Sequence, residues 1–216
     1  LTQTSYRIYA LTLGLLFCSF SINFGQNIDV TYPGYGTVTG STSHSSYPAA
    51  NAFDNKITNE SSGGRWLASQ SSLPNVFVKY QFPNGIKHKV THYRIKTQNS
   101  SASLRSPKSF ELQGSNDDSN WTTLDSESNQ TNWGADQWRS FTIDSPSEFA
   151  YYKLTISEAS GTESYVGIRE IELLSPFDFN NSSALSISEN QPVGSVVGKL
   201  QTSPTNFGSP FNYLIP

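Results

Sequence analysis

The chain has 216 residues and a formal net charge of −3, with 14% of residues charged and 13% aromatic. Charged residues fall well below the roughly 25% typical of soluble domains, and Ser, Thr, Asn and Gly take their place, as suits an extracellular β-protein with turn-rich loops. No Lys/Arg stripe is present, which argues against a nucleic-acid binder. The length allows one domain with a full core plus something smaller.

The chain opens with "RIYALTLGLLFCSF", in which Arg7 precedes an apolar run of the length expected for a signal-peptide core. The alternative, a membrane-spanning helix, needs about 20 apolar residues, and the run is shorter. Small residues at Ser19, Ser21 and Gly25 place cleavage within 21–26, so residues 1–26 are expected to form a signal peptide of a secreted or cell-surface protein. Cys18 is the only cysteine and lies inside this segment. Phe17 before it is too bulky for a lipid-anchoring motif. The mature protein is therefore expected to hold together without disulfides. Leu1 in place of Met points to an alternative start codon or a fragment.

After Gln26 no helical period is sustained, and alternation dominates. Val76, Val78, Tyr80 and Phe82 share one face of a strand. Tyr93 and Ile95 do the same, with His92, Arg94 and Lys96 outward. Phe110 and Leu112 alternate with Glu111 and Gln113, and Tyr152, Leu154 and Ile156 with Tyr151, Lys153 and Thr155. The segment "VGIREIELL" closes the series. Strands at this spacing, broken by Pro, Gly and Asn, predict an all-β antiparallel sandwich or barrel over 27–176. "SPFDFNNSS" interrupts the pattern, giving a linker at 177–183. The stretch 184–216 starts two new strand-like runs and ends before a second core, so it is expected to be an incomplete second β domain.

Four segments, in order, resemble the discoidin or coagulation-factor C-type domains and their bacterial relatives, the family 32 carbohydrate-binding modules. They are "YPAANAFDNKITNESSGGRWLAS", "SLRSPKSFELQGSNDDSNWTTLD", "FAYYKLTI" and "VGIREIELL", spread across 35–175. The resemblance implies an eight-stranded antiparallel jelly-roll sandwich. It also implies a structural calcium, with carboxylates from Asp54 and Glu170 and further oxygens from Asn51, Thr58 and Arg169. Such an oxygen-only shell suits calcium. The loop here is longer than the family's, by "NESSGG" before Trp66. The alternative is that Asp54 caps a turn and Glu170 is a solvated strand residue. The tail "LSISENQPVGSVVGKLQT" is similar to the opening of a cadherin-like repeat, with Glu189 at a calcium-ligating position. "SPTN" replaces the following Asp-x-Asp, so inter-repeat calcium is not expected.

Rigid sandwiches commonly present function on loops. Sugar recognition needs an aromatic plate and planar hydrogen-bonding groups. The candidates are His44, Tyr47, Arg65, Asn99, Arg105, Trp133 and Tyr165. Trp133 leads because it sits among turn residues, although a loop aromatic folding back onto the sandwich is at least as common. Arg105 has an alternative as a loop brace. Trp66 and Trp121 are expected in the core, and His88 and His92 at the surface. The pair Asp117–Asp118 falls in "GSNDDSN", where a hairpin turn is expected. The family usually has glycine at the position of Asp118.

No nucleophile elbow, zinc-protease helix or phosphate loop occurs, so an enzyme is not expected. Asn-x-Ser/Thr sequons at Asn59, Asn99, Asn120, Asn129, Asn180 and Asn181 would carry sugar only in a eukaryotic secretory pathway. The expected function is a non-catalytic glycan-binding module that works beside further domains of the same polypeptide. The alternatives are an adhesion module for protein or anionic lipid, with apolar spikes at Trp133 and Leu104, or a structural spacer.

Overall fold

The computed structural model describes residues 27–57 and 64–176, together with the backbone of Val196–Leu200 and Phe211–Leu214. Strands follow in chain order: β1 (Asn27–Asp29), β2 (Thr37–Gly40), β3 (Trp66–Ser69), β4 (Val76–Gln81), β5 (His88–Lys89), β6 (His92–Lys96), β7 (Pro107–Ser115) and β8 (Thr122–Glu127). Then come β9 (Trp138–Thr142), β10 (Glu148–Phe149), β11 (Tyr151–Ala159), β12 (Tyr165–Ile168), β13 (Glu170–Pro176), β14 (Val196–Leu200) and β15 (Phe211–Leu214). A short helix, α1 (Ala102–Arg105), and a 3-10 turn (Ala49–Phe53) complete the parts used below.

Two antiparallel sheets face each other, in orders β2-β4-β11-β7-β8 and β1-β13-β6-β9, and short pairs β12-β3 and β10-β5 close the ends. The inward alternate residues come from the runs read in the sequence. β4 buries Val76, Val78 and Tyr80; β11 buries Tyr152, Leu154 and Ile156; β7 buries Phe110 and Leu112. The opposite sheet supplies Tyr93, Ile95, Ile171 and Leu173. Phe141 joins the layers: it stacks on Tyr93 at 5.0 Å and meets Phe110 edge-on at 5.4 Å. Each such buried side chain contributes about 1.5–3 kcal/mol by leaving water. A cysteine-free domain of this size can rest on that core.

The hairpin β7–β8 has the expected corner. Asp118 takes φ +60°, the left-handed conformation for which the family uses glycine. The Asp117 carboxylate accepts from the amides of Ser119 and Asn120 at 2.9 and 2.7 Å and from Asn120 Nδ2 at 2.7 Å. These bonds hold its pKa well below the usual carboxylate range. Lys79 reaches across from β4 to Asp118 at 2.6 Å. The aspartate pair is architecture.

Four expectations need correction. His88 is buried, not at the surface: its ring packs 4.2 Å from that of Phe82, and burial lowers its pKa to about 4. Lys96 is buried as well, because Trp138 of β9 lies 5.7 Å away and Asp136 receives its ammonium, through the backbone carbonyl at 2.9 Å and the carboxylate at 3.3 Å. Trp121 is only half-buried and lies outside the core, on the open face of the larger sheet, with Lys153 Nζ 3.9 Å from its ring centroid. Trp133 is in the core, as detailed below. By contrast, Trp66 is fully buried, as expected. His92 is half-buried, its Nδ1 2.9 Å from the Asn27 amide nitrogen.

Beyond β13, strands β14 and β15 pair antiparallel. Residues 1–26, with the expected signal peptide and Cys18, lie outside the described residues, as do Thr58 and Glu189. Among the described residues no helix is long and apolar enough to cross a membrane.

Candidate functional site

The loop after β2 turns tightly, with Tyr47 N donating to His44 O at 2.9 Å. Hydrogen bonds then tie this loop to β3: His44 N donates to Leu67 O at 2.8 Å, and Leu67 N to Tyr47 O at 3.2 Å. Trp66 anchors the arrangement from below, its indole N–H donating to Thr42 O at 3.1 Å. β12 lies against β3 with Tyr165 opposite Ser69. These pairings bring four of the seven sequence candidates together. The His44 ring is 5.2 Å from that of Tyr47 and 5.4 Å from that of Tyr165, and the Arg65 guanidinium sits 4.5 Å over Tyr47. All four are half-buried, so each has a held body and an exposed part.

Arg105 borders this group, since α1 packs against β12. Its Nη2 lies 3.3 Å from Glu163 Oε2, two residues before Tyr165, so Arg105 braces the loop. Glu163 was missed in the sequence; its spacing from Tyr165 within "GTESY" was the available signal. Leu104 stands beside Arg105 and is 43% exposed. Gly161 is required under it, because a Cβ there would come within 2.7 Å of the Leu104 backbone. Asn99 is exposed on the loop that leads into α1.

Trp133 does not belong to the face. It is 3% exposed, its indole N–H donates to Pro107 O at 2.9 Å and Gln130 O at 3.0 Å, and Arg139 covers its ring at 3.9 Å. The turn-rich sequence around it folds back because the indole N–H and one face of the ring both find partners. It is not available as an aromatic plate.

The second cluster is the carboxylate pair. Glu170 opens β13 and is fully buried, so it is not a solvated strand residue. The Asn55 amide is directed at its carboxyl and partly offsets the burial, but neither oxygen completes a hydrogen bond of ordinary geometry. Burial pushes its pKa up to about 9, and the charges of Asp54, Asp29 and Glu172 add to the effect. Asp54 follows the 3-10 turn. Its Oδ1 accepts from Lys56 N at 3.0 Å, as a turn cap would. Its Oδ2 is buried without a hydrogen bond, 3.3 Å from an ammonium on the 68% exposed Lys56 side chain. Asn51, on the same turn, donates its side-chain amide to Arg65 O at 2.9 Å. Arg169 is buried between Ile168 and Glu170, with its amide on Lys96 O at 2.9 Å.

Buried polar atoms without partners call for an explanation, and an ion is one of the few available. The Glu170 carboxyl and the buried Oδ2 of Asp54 offer oxygen donors of the kind that suit a hard cation. Among the described residues no group of three or more His, Cys, Asp or Glu gathers to hold a metal. The donors at this pair are oxygens, not the imidazole or thiolate that softer metals prefer.

The F5/8 type C domain family matches residues 37–171. The chain belongs to the F5/8 type C domain family. Its fold is shared with a family 32 carbohydrate-binding module from Clostridium perfringens NanJ in complex with galactose, at 18% identity and a TM-score of 0.54, covering 69% of this chain and 100% of that one. A Clostridium perfringens module in complex with GalNAc-β-1,3-galactose has 13% identity and a TM-score of 0.52, over 68% of this chain and 99% of that one. An F5/8 type C domain from Bacteroides fragilis has 15% identity and a TM-score of 0.56, over 71% and 97%. No curated protein matches the chain. The F5/8 type C match ends within β13, so the cadherin-like reading of 184–216 gains no support from it.

Proposed function

We propose that this F5/8 type C domain is a non-catalytic glycan-binding module, and that galactose-type sugars bind at His44, Tyr47, Arg65 and Tyr165. The observation that carries the reading is the convergence of these four side chains on one shallow surface. The rings of Tyr47 and Tyr165 offer apolar area to the C–H face of a sugar. The Arg65 guanidinium presents a planar fork of donors to paired hydroxyls, and His44 adds a ring nitrogen. Arg105 and Asn99 extend the rim. The solved relatives in complex with galactose and GalNAc-β-1,3-galactose support this choice of sugar.

Calcium is the proposed cation for Asp54 and Glu170, with oxygens from Asn51, Thr58 and Arg169 completing the shell. The cation would supply compensating charge where two carboxylates are buried. The module would act outside the cell, with the apolar N-terminal run as its export signal and 184–216 as the start of a neighbouring cadherin-like domain. A weak single site in such a chain gains affinity from repetition. The lipid-binding alternative loses one of its two spikes, because Trp133 is buried and Leu104 is left alone.

Calorimetric titration of the purified protein with galactose tests the reading. Saturable binding is expected, weakened at least tenfold by Arg65→Gln and by Tyr165→Ala. Binding that both variants retain, or none to any galactoside, would overturn it.

A further inference from the structure

The sugar-facing cluster and the carboxylate pair are carried by the same three pieces of chain. Tyr47 runs through Pro48 into the 3-10 turn, which ends at Asp54. Arg65 leads into β3, whose partner β12 carries Tyr165 and continues through Arg169 to Glu170. One side chain connects the two sets directly. Asn51, seated on the turn, donates its amide to the Arg65 carbonyl at 2.9 Å, and the Arg65 guanidinium in turn lies 4.5 Å over Tyr47.

Burying a carboxylate without a compensating charge is costly in a medium of low dielectric. A cation shared by Asp54 and Glu170 would bind the turn to β13 more firmly than their packing alone does. The turn is also the platform on which Asn51 and Tyr47 stand. A cation holding Asp54 to Glu170 therefore fixes the turn, and the turn fixes Arg65.

We propose that cation occupancy at Asp54 and Glu170 and glycan binding at the Tyr47–Arg65 face are positively coupled, with Asn51 as the positioning residue that links them. The inference rests on both readings made above, of the sugar face and of the cation pair. It requires that each ligand tighten the other by the same factor, since linkage is reciprocal.

The test is a pair of calorimetric titrations on the purified protein: galactose in chelator and in saturating calcium, then calcium with and without galactose. Galactose affinity is expected to rise about fivefold or more with calcium, within the usual range of coupling between sites. Calcium affinity is expected to rise by the same factor with galactose. In Asn51→Ala, which keeps the backbone carbonyl, the ratio of galactose affinities with and without calcium is expected to fall towards one. Galactose affinity that is identical in chelator and calcium, when both ligands bind, overturns the inference and leaves both readings standing. Absence of calcium binding overturns it together with the cation reading, and absence of galactose binding overturns it together with the proposed function.

Discussion

Arg139 holds its guanidinium 3.9 Å above the ring of Trp133, and the same group donates to Thr131 O at 2.8 Å and Asn132 O at 2.9 Å. The cation thus closes a loop over a buried indole whose N–H is already satisfied from within. Trp133→Ala is expected to cost about 3–5 kcal/mol of stability, as for other buried large aromatics. Urea unfolding measures this, and a wild-type midpoint would return Trp133 to the surface.

At the β7–β8 corner two effects of similar size oppose each other. Relieving the left-handed conformation of Asp118 by Asp118→Gly gains up to about 1 kcal/mol. Losing the Lys79 ion pair, on a side chain 40% exposed, costs about 0–1 kcal/mol. Asp118→Gly should therefore unfold within about 0.5 kcal/mol of the parent, whereas Asp118→Ala, which loses the pair and keeps the Cβ, should be less stable. Equal midpoints for the two variants would show that the conformation carries no cost.

His88 makes stability depend on acid. Its pKa is about 4 in the folded protein against 6.5 unfolded. Between these values the unfolded chain takes up a proton that the folded state refuses, so stability falls as pH drops from 6.5 through 4. The loss is at most about 3 kcal/mol. Melting the parent beside His88→Gln from pH 7 to pH 4 isolates the effect. The gap in favour of the parent should shrink or reverse on acidification, and a constant gap would contradict the buried position.

Most of the sandwich was legible because alternation is a local signal: Phe110, Leu112, Tyr152, Leu154 and Ile156 each point where their neighbours say they must. The turn at Asp117–Asp118 was legible for the same reason. Tertiary partners decided the rest. Nothing in "TNWGAD" reveals that Pro107 O and Arg139 wait for the indole, and nothing in "IKHKV" reveals that Phe82 covers His88. Of the sugar-face candidates, His44, Tyr47, Arg65 and Tyr165 came together. Loop position and side-chain type had marked them, and β3–β12 pairing is what joins their loops.

Glu170 provides a test of the cation pair that needs no sugar. In chelator its carboxyl has a pKa of about 9 against 4.5 unfolded. The folded state then keeps a proton that the unfolded chain gives up, so stability present below pH 4.5 is lost as pH rises towards 9. Glu170→Gln, which has no charge to neutralise, should gain on the parent across that interval in chelator. Calcium should raise the melting temperature of the parent and leave that of Glu170→Gln nearly unmoved. An equal response of both proteins to calcium would remove Glu170 from the site.

β13 has a double duty that limits how this module can change. Opposite Lys96 and Ile95 on β6, it turns Glu170 to one side and Ile171 to the other. A deletion of one residue ahead of the strand would exchange those faces, driving a carboxylate into the core and an isoleucine to the cation pair. Insertions or deletions here should thus be purged in descendants of this chain. Length variation is left to the loops at the sandwich ends, where a new sugar preference can arise without disturbing the frame.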